Sequence, residues 1–141
     1  MKVIETGLSP ELLALLEASE LPATDLRAGR SATFLAAVAD GDLLGCIAYE
    51  LGGESALLRS LAVQPTAQGQ GVGRQLVVEV ERHAKAAGGN VVFLLTTNAA
   101  MFFERLGYER VERDAAPKFI AESPQFAGLC PGSAALMMRR L

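Results

Sequence analysis

The chain has 141 residues, half of them hydrophobic and 21% charged, a size and balance that suit one compact domain spanning 1–141. At this length about two thirds of the unfolded surface can be buried, so no disulfide staple is required. Thirteen basic against sixteen acidic residues give a formal charge of −3 with no cationic block, which argues against a nucleic-acid partner. Cys46 and Cys130 stand far apart without a CxxC or CxxxH neighbour and share the chain with a single histidine, His83, so no metal-ligand set is expected.

The N-terminal stretch is apolar in places, but Glu5, Glu11, Glu17 and Glu20 interrupt it and no cleavage site follows, so it does not read as a signal peptide. No uncharged apolar run reaches the roughly 18 residues that a membrane-spanning helix needs. The expectation is a cytoplasmic chain without a membrane partner.

Residues 2–5 read as a short strand. Ser9 then caps a helix with Pro10 and Glu11 in its first turn and Leu12, Leu13, Leu15 and Leu16 as its apolar stripe, ending near Glu20. Three strand-like runs follow, 32–38, 43–51 and 55–64. They are separated by Asp40-Gly41-Asp42 and Gly52-Gly53, which predicts an antiparallel meander. From Val72 to Ala87 the period becomes helical, with Val72, Leu76, Val80, Ala84 and Ala87 on one side, and Gly88-Gly89 stops it. Val91–Leu95 reads as a buried strand, 98–105 as a helix ending at Gly107, and 108–112 as a strand, a parallel crossover. Residues 114–132 hold Pro117, Pro124 and Pro131 and predict a long ordered loop with one helical turn; 133–140 predict a last strand.

The chemistry concentrates between Leu61 and Arg74. Gly69, Gly71 and Gly73 remove side chains at alternate positions where a loop enters the best helix, so main-chain N–H groups are left to face an anion. The same spacing also suits a glycine-rich turn that binds nothing. No lysine lies in the loop, so it is not a P-loop. The GxGxxG dinucleotide fingerprint fits poorly, because Arg74 stands where the third glycine belongs and the preceding strands form a meander.

What remains is Gln/Arg-x-x-Gly-x-Gly, met by Gln68, Gly71 and Gly73. With the strand LRSLAV before it and TTNAAMFFERLGY at 96–108, the chain resembles the GNAT superfamily of acyl-CoA-dependent N-acyltransferases over nearly its whole length. The resemblance implies an α/β (α+β) fold: a mixed, mostly antiparallel central sheet, splayed in the middle and flanked by helices. It implies acetyl-CoA as cofactor. The amides of Gln68, Gly69, Gln70, Gly71, Val72, Gly73 and Arg74 would hold the pyrophosphate, and main-chain groups at Leu61, Ala62 and Val63 would meet the pantetheine arm. Asn98, Phe102 and Phe103 join these cofactor contacts, although the two phenylalanines also suit the core.

A narrower likeness lies in 123–134, Ser-Pro-Gln-Phe-Ala-Gly-Leu-Cys-Pro-Gly-Ser-Ala, which with FFERLGY resembles the arsenic-resistance type of N-acetyltransferase and short glutamate N-acetyltransferases. Both imply a small amine acceptor such as glutamate, arsinothricin or phosphinothricin. Rival readings are acetylation of a protein or polyamine, and a CoA-binding module without turnover. A homodimer is left open.

The resemblance implies main-chain N–H groups of the Leu61 to Val63 strand as the oxyanion donors, Leu61 foremost. Two positions depart from the family's pattern. Phe103 stands where many relatives place a tyrosine that protonates the leaving sulfur, and Leu58 stands near where several carry a glutamate base. Glu50, Glu54 or a water chain remain as base, and Tyr49 or Tyr108 as acid. Arg59, in an otherwise apolar run, needs a carboxylate, either an internal one or the acceptor's own. Ser60, Lys118 and Phe126 complete the expected acceptor contacts. Cys46 and Cys130 read as packing residues and His83 as a surface one.

Overall fold

The computed structural model describes residues 1–21, 23, 32–124, 126 and 134–141. The chain order is β1 (Lys2–Thr6), α1 (Pro10–Ala18), β2 (Thr33–Ala39), β3 (Asp42–Gly52), β4 (Ser55–Val63), a 3-10 turn (Pro65–Ala67), α2 (Val72–Ala86), β5 (Val91–Thr96), α3 (Ala100–Arg105), β6 (Glu109–Val111), a second 3-10 turn (Arg113–Ala115), α4 (Lys118–Ala121) and β7 (Ala135–Arg140). The strands form one seven-stranded sheet in the order β1-β2-β3-β4-β5-β7-β6. The fold is the expected mixed, mostly antiparallel sheet flanked by helices. Among the described residues no helix is long and apolar enough to cross a membrane, and no group of three or more His, Cys, Asp or Glu is placed to hold a metal ion.

By its contacts the chain divides into two compact units. The first comprises Met1–Glu50 and Leu58–His83. Its meander begins with β1 antiparallel to β2 and β2 antiparallel to β3, the second pairing broken by a register shift at Ala37/Val38. Ser9 caps α1 as expected, its hydroxyl accepting from the Leu12 amide at 3.2 Å. The capped helix then buries Leu12, Leu15 and Leu16 against Phe34, Cys46, Ala48 and Ala62. Val72 and Leu76 of α2 come down on Gly45 of β3, where a side chain would leave no room.

The second unit comprises Leu51–Leu57 and Ala84–Leu141. Here β4 runs parallel to β5 only through Ser55↔Val91, Ala56↔Val92 and Leu57↔Phe93, whereas β5 pairs with β7 along its whole length, Val91↔Arg140 to Thr96↔Ala135. The parallel ladder therefore stops halfway along β5. β5 and β6 run in the same direction, as the strand–helix–strand pattern predicts, but β7 lies between them and is antiparallel to both. Proximity in sequence does not reveal such an insertion, because the intervening strand comes last in the chain. Leu57, Phe93, Ile120 and Leu136 form the core of this unit. The long loop contains α4 as its helical turn; Cys130 and most of the segment 123–134 lie outside the described residues.

Candidate active site

Two features of the first unit stand out in their local geometry. One is the bend between β4 and α2. Its root is held by main-chain bonds, Gln64 N–H to Leu44 O at 2.8 Å and Ala67 N–H to Gln64 O at 2.9 Å. Two glutamines tie it internally: Gln68 Nε2 donates to Val63 O at 3.2 Å and Gln70 Nε2 to Thr66 O at 3.4 Å. Gly69 and Gly71 have φ of 79° and 81°, the left-handed region that a side chain disfavours, and a Cβ at either would point into open space.

The first main-chain bond entering α2 is Gln75 N–H to Gly71 O at 3.1 Å. Among the described residues, nothing accepts from the amides of Gly69, Gln70, Gly71, Val72, Gly73 or Arg74. The first turn of the 15-residue α2 carries no acidic side chain to compete for them. Aligned amides at the positive end of a helix dipole attract a diphosphate, and the uncovered glycines let it approach the backbone. These residues fit the diphosphate of coenzyme A without needing a lysine.

The other feature is the middle of β4. Ser60 has φ of 60°; among the described residues it is the one non-glycine position inside a strand with a left-handed backbone. Such a conformation costs about 1–3 kcal/mol and persists only where its surroundings enforce it. Three contacts surround it. Arg59 Nε donates to Ser60 Oγ at 3.2 Å, Arg59 Nη1 stands 3.0 Å from Glu50 Oε2, and the Cys46 thiol donates to Ser60 O at 3.4 Å. The Arg59 and Glu50 side chains are 1% and 4% exposed, so both charges have left water and depend on each other.

Of the two partners the sequence leaves open for Arg59, the structure supplies the internal carboxylate, Glu50. Burial pushes the Cys46 thiol up to about 12 from its ordinary 9.0, the Ala62 amide pulling weakly the other way. Cys46 is accordingly the inert packing residue its sequence context suggests. Its place as a brace on Ser60 is not readable from sequence. Strand alternation does place it on the face of β3 that carries Glu50.

Leu61, Ala62 and Val63 follow Ser60 at the end of β4, with Ala62 buried and its neighbours half-buried. The remaining expected site residues belong to the second unit. Asn98 is exposed just before α3, which starts two residues later than the pattern suggests because Thr96 Oγ1 accepts from the Ala99 amide at 3.0 Å and shapes the turn ahead of it. Phe102 is half-buried and meets Phe103 edge-on at 5.0 Å. Phe103 is buried and meets Tyr108 edge-on at 5.5 Å. Lys118 is exposed, its ammonium 3.8 Å from Glu122 Oε1. Phe126 lies under the Arg113 guanidinium at 4.8 Å and donates its amide to Ser123 Oγ at 3.3 Å. Glu54 is exposed at the β3–β4 turn; in the first unit, His83 faces Glu5 at 3.7 Å.

Comparison with known proteins bears on this geometry. A family model described as an acetyltransferase (GNAT) domain matches residues 30–110. An uncharacterised N-acetyltransferase of Chlorobaculum tepidum is 38% identical over 90 residues, 62% of this chain and 56% of its own length. An amino-acid acetyltransferase of Neisseria meningitidis is 32% identical over 81 residues, 56% of this chain and 19% of its own. This chain therefore spans little more than half of the first relative and a fifth of the second. Among solved structures, the N-acetylglutamate synthase of Neisseria gonorrhoeae complexed with coenzyme A and N-acetyl-glutamate superposes with a TM-score of 0.79 at 24% identity. The superposition covers 100% of this chain and 35% of that one, a likeness of fold.

Proposed function

We propose that this chain, which belongs to the GNAT acetyltransferase domain family, is a single acetyltransferase domain over 1–141 that moves acetyl from acetyl-CoA to a small amine by direct transfer. The observation that carries the reading is the Gly69–Arg74 bend into α2, where among the described residues nothing accepts from the main-chain amides and two glycines take a left-handed backbone. Bound acetyl-CoA would supply an activated acyl group whose thiol, of pKa about 8.5, leaves as thiolate without a strong acid. That eases the loss of the tyrosine at Phe103, which the structure uses as packing.

The chain's own residues divide the remaining work. The bend from Gly69 to Arg74 holds the diphosphate; the Gln68 amide, expected to join it, donates instead to Pro65 O at 3.5 Å. Main chain at Leu61, Ala62 and Val63 orients the pantetheine arm. The Leu61 amide, following the kink at Ser60, donates to the oxygen that becomes negative as the amine adds; one such donor is worth about 3–4 kcal/mol of barrier. Glu50 takes the proton that the attacking nitrogen loses.

The acceptor is proposed to be an acidic amino acid or an analogue of arsinothricin or phosphinothricin type, and the reaction to run in the cytoplasm; Arg59, held by the internal Glu50, does not pair with the acceptor's carboxylate. The amino-acid acetyltransferase of Neisseria meningitidis supports the amino-acid class. The test is thiol release by purified protein from acetyl-CoA with glutamate, phosphinothricin, spermidine and a lysine peptide. Release with an acidic amino acid in preference to the polyamine and peptide is expected. Release with none of the panel, while the folded protein still binds CoA, would mean a binding module instead.

A further inference from the structure

We propose that Arg59 is a positioning residue, which locks the kinked backbone at Ser60 and thereby aims the Leu61 amide at the reacting carbonyl. The inference rests on the acetyltransferase reading for its catalytic consequence, and on β4 alone for its geometry.

Consecutive side chains of a regular strand point to opposite faces, so residues 59 and 60 would not be within reach of each other. Here Arg59 Nε donates to Ser60 Oγ at 3.2 Å. With Ser60 at φ 60° its hydroxyl comes round to the arginine, so bond and kink support each other. Arg59 is fixed in turn from the neighbouring strand, Nη1 standing 3.0 Å from Glu50 Oε2, and the Cys46 thiol of that strand donates to Ser60 O at 3.4 Å. The kink is thus braced at side chain and carbonyl, both times through β3. Leu61 is the next residue, and the direction of its N–H follows from the torsions of Ser60. A guanidinium suits this task because its planar fork presents Nε–H and Nη–H at once, which a lysine ammonium does not.

The test is a set of variants read by urea midpoint and by kcat and KM separately. Arg59→Lys keeps a cation for Glu50 but loses the bond to Ser60. Ser60→Ala loses the bond and keeps the unfavourable torsion, whereas Ser60→Gly loses the bond but adopts a positive φ without strain. Arg59→Lys and Ser60→Ala should each lower kcat about 10- to 100-fold through a misaimed donor, with both KM values nearly unchanged. Ser60→Gly should stand above Ser60→Ala in midpoint and in kcat. Adding Ser60→Gly to Arg59→Lys should restore part of the lost kcat.

Ser60→Gly falling as far as Ser60→Ala in both readouts, or Arg59→Lys raising only the KM of acidic acceptors, would overturn the inference. If the wild-type chain transfers no acetyl group, the proposed activity fails, yet the midpoints still read the brace. Arg59→Lys/Ser60→Ala should then be no less stable than the weaker single variant, because both remove one shared bond, and additive losses would refute it.

Discussion

Gly45 of β3 passes so close to Ala62 of β4 that a Cβ there would stand 2.7 Å from the Ala62 carbonyl oxygen, with Leu76 and Val72 of α2 at 3.2 and 3.3 Å. The obstacle is backbone and cannot turn aside. Gly45→Ala should therefore cost about 1–3 kcal/mol, the usual range for overpacking a filled site, measured by urea unfolding. An unchanged midpoint would contradict the close approach on which the end of β4 rests.

The Arg59–Glu50 pair sets a second expectation. Truncating one partner leaves the other charge buried, so Glu50→Ala should lose about 3–5 kcal/mol of stability, and Glu50→Gln, which still offers an oxygen to the guanidinium, distinctly less. Chemical denaturation of the two variants decides it. A loss below about 1 kcal/mol for the alanine variant would place the pair in water.

Cys46 should behave as a sealed thiol. With its pKa pushed up to about 12, almost none is thiolate near neutrality, so native protein treated with a maleimide at pH 8 should leave this cysteine unmodified by peptide mass spectrometry. The same shift gives a pH dependence. The unfolded thiol releases its proton near 9.0 and the folded one near 12, so the folded state holds the extra proton between them. The contribution is full below pH 9.0 and fades as pH climbs toward 12, and Cys46→Ala should lessen the loss of stability in that window. Rapid labelling of Cys46 at pH 8 would contradict its burial.

Gly71→Val separates ligand binding from folding. Among the described residues nothing obstructs a side chain at Gly71, so the variant meets only the strain of φ 81° and should remain folded. Its side chain would stand where the diphosphate must approach the amides. CoA affinity should fall at least about tenfold by isothermal calorimetry, equivalent to about 1.4 kcal/mol. Full affinity in a folded variant would remove the bend from the site.

Much of this architecture is legible in the residues because it is local. Ser9 and Pro10 mark the start of α1, the glycine-bearing turns delimit the meander, and the change to a helical period at Val72 announces α2 together with the bend before it. What escapes is long-range or strained. No periodicity reveals that β7 separates β5 from β6, since the pairing is settled by the last strand to be made. The need of Arg59 for a carboxylate is plain from its apolar run, but the choice of Glu50 depends on the register of β3 against β4. The kink at Ser60 carries no mark at all: serine is not a residue that advertises a positive φ, and side chains from another strand hold it there.

The central claim is that the amides from Gly69 to Arg74 receive the diphosphate of coenzyme A. Amide-resolved NMR of the folded protein titrated with coenzyme A measures it directly. The account predicts large, saturable shifts for the amides of Gly69, Gln70, Gly71, Val72, Gly73 and Arg74. Saturating coenzyme A that leaves those resonances in place would contradict it.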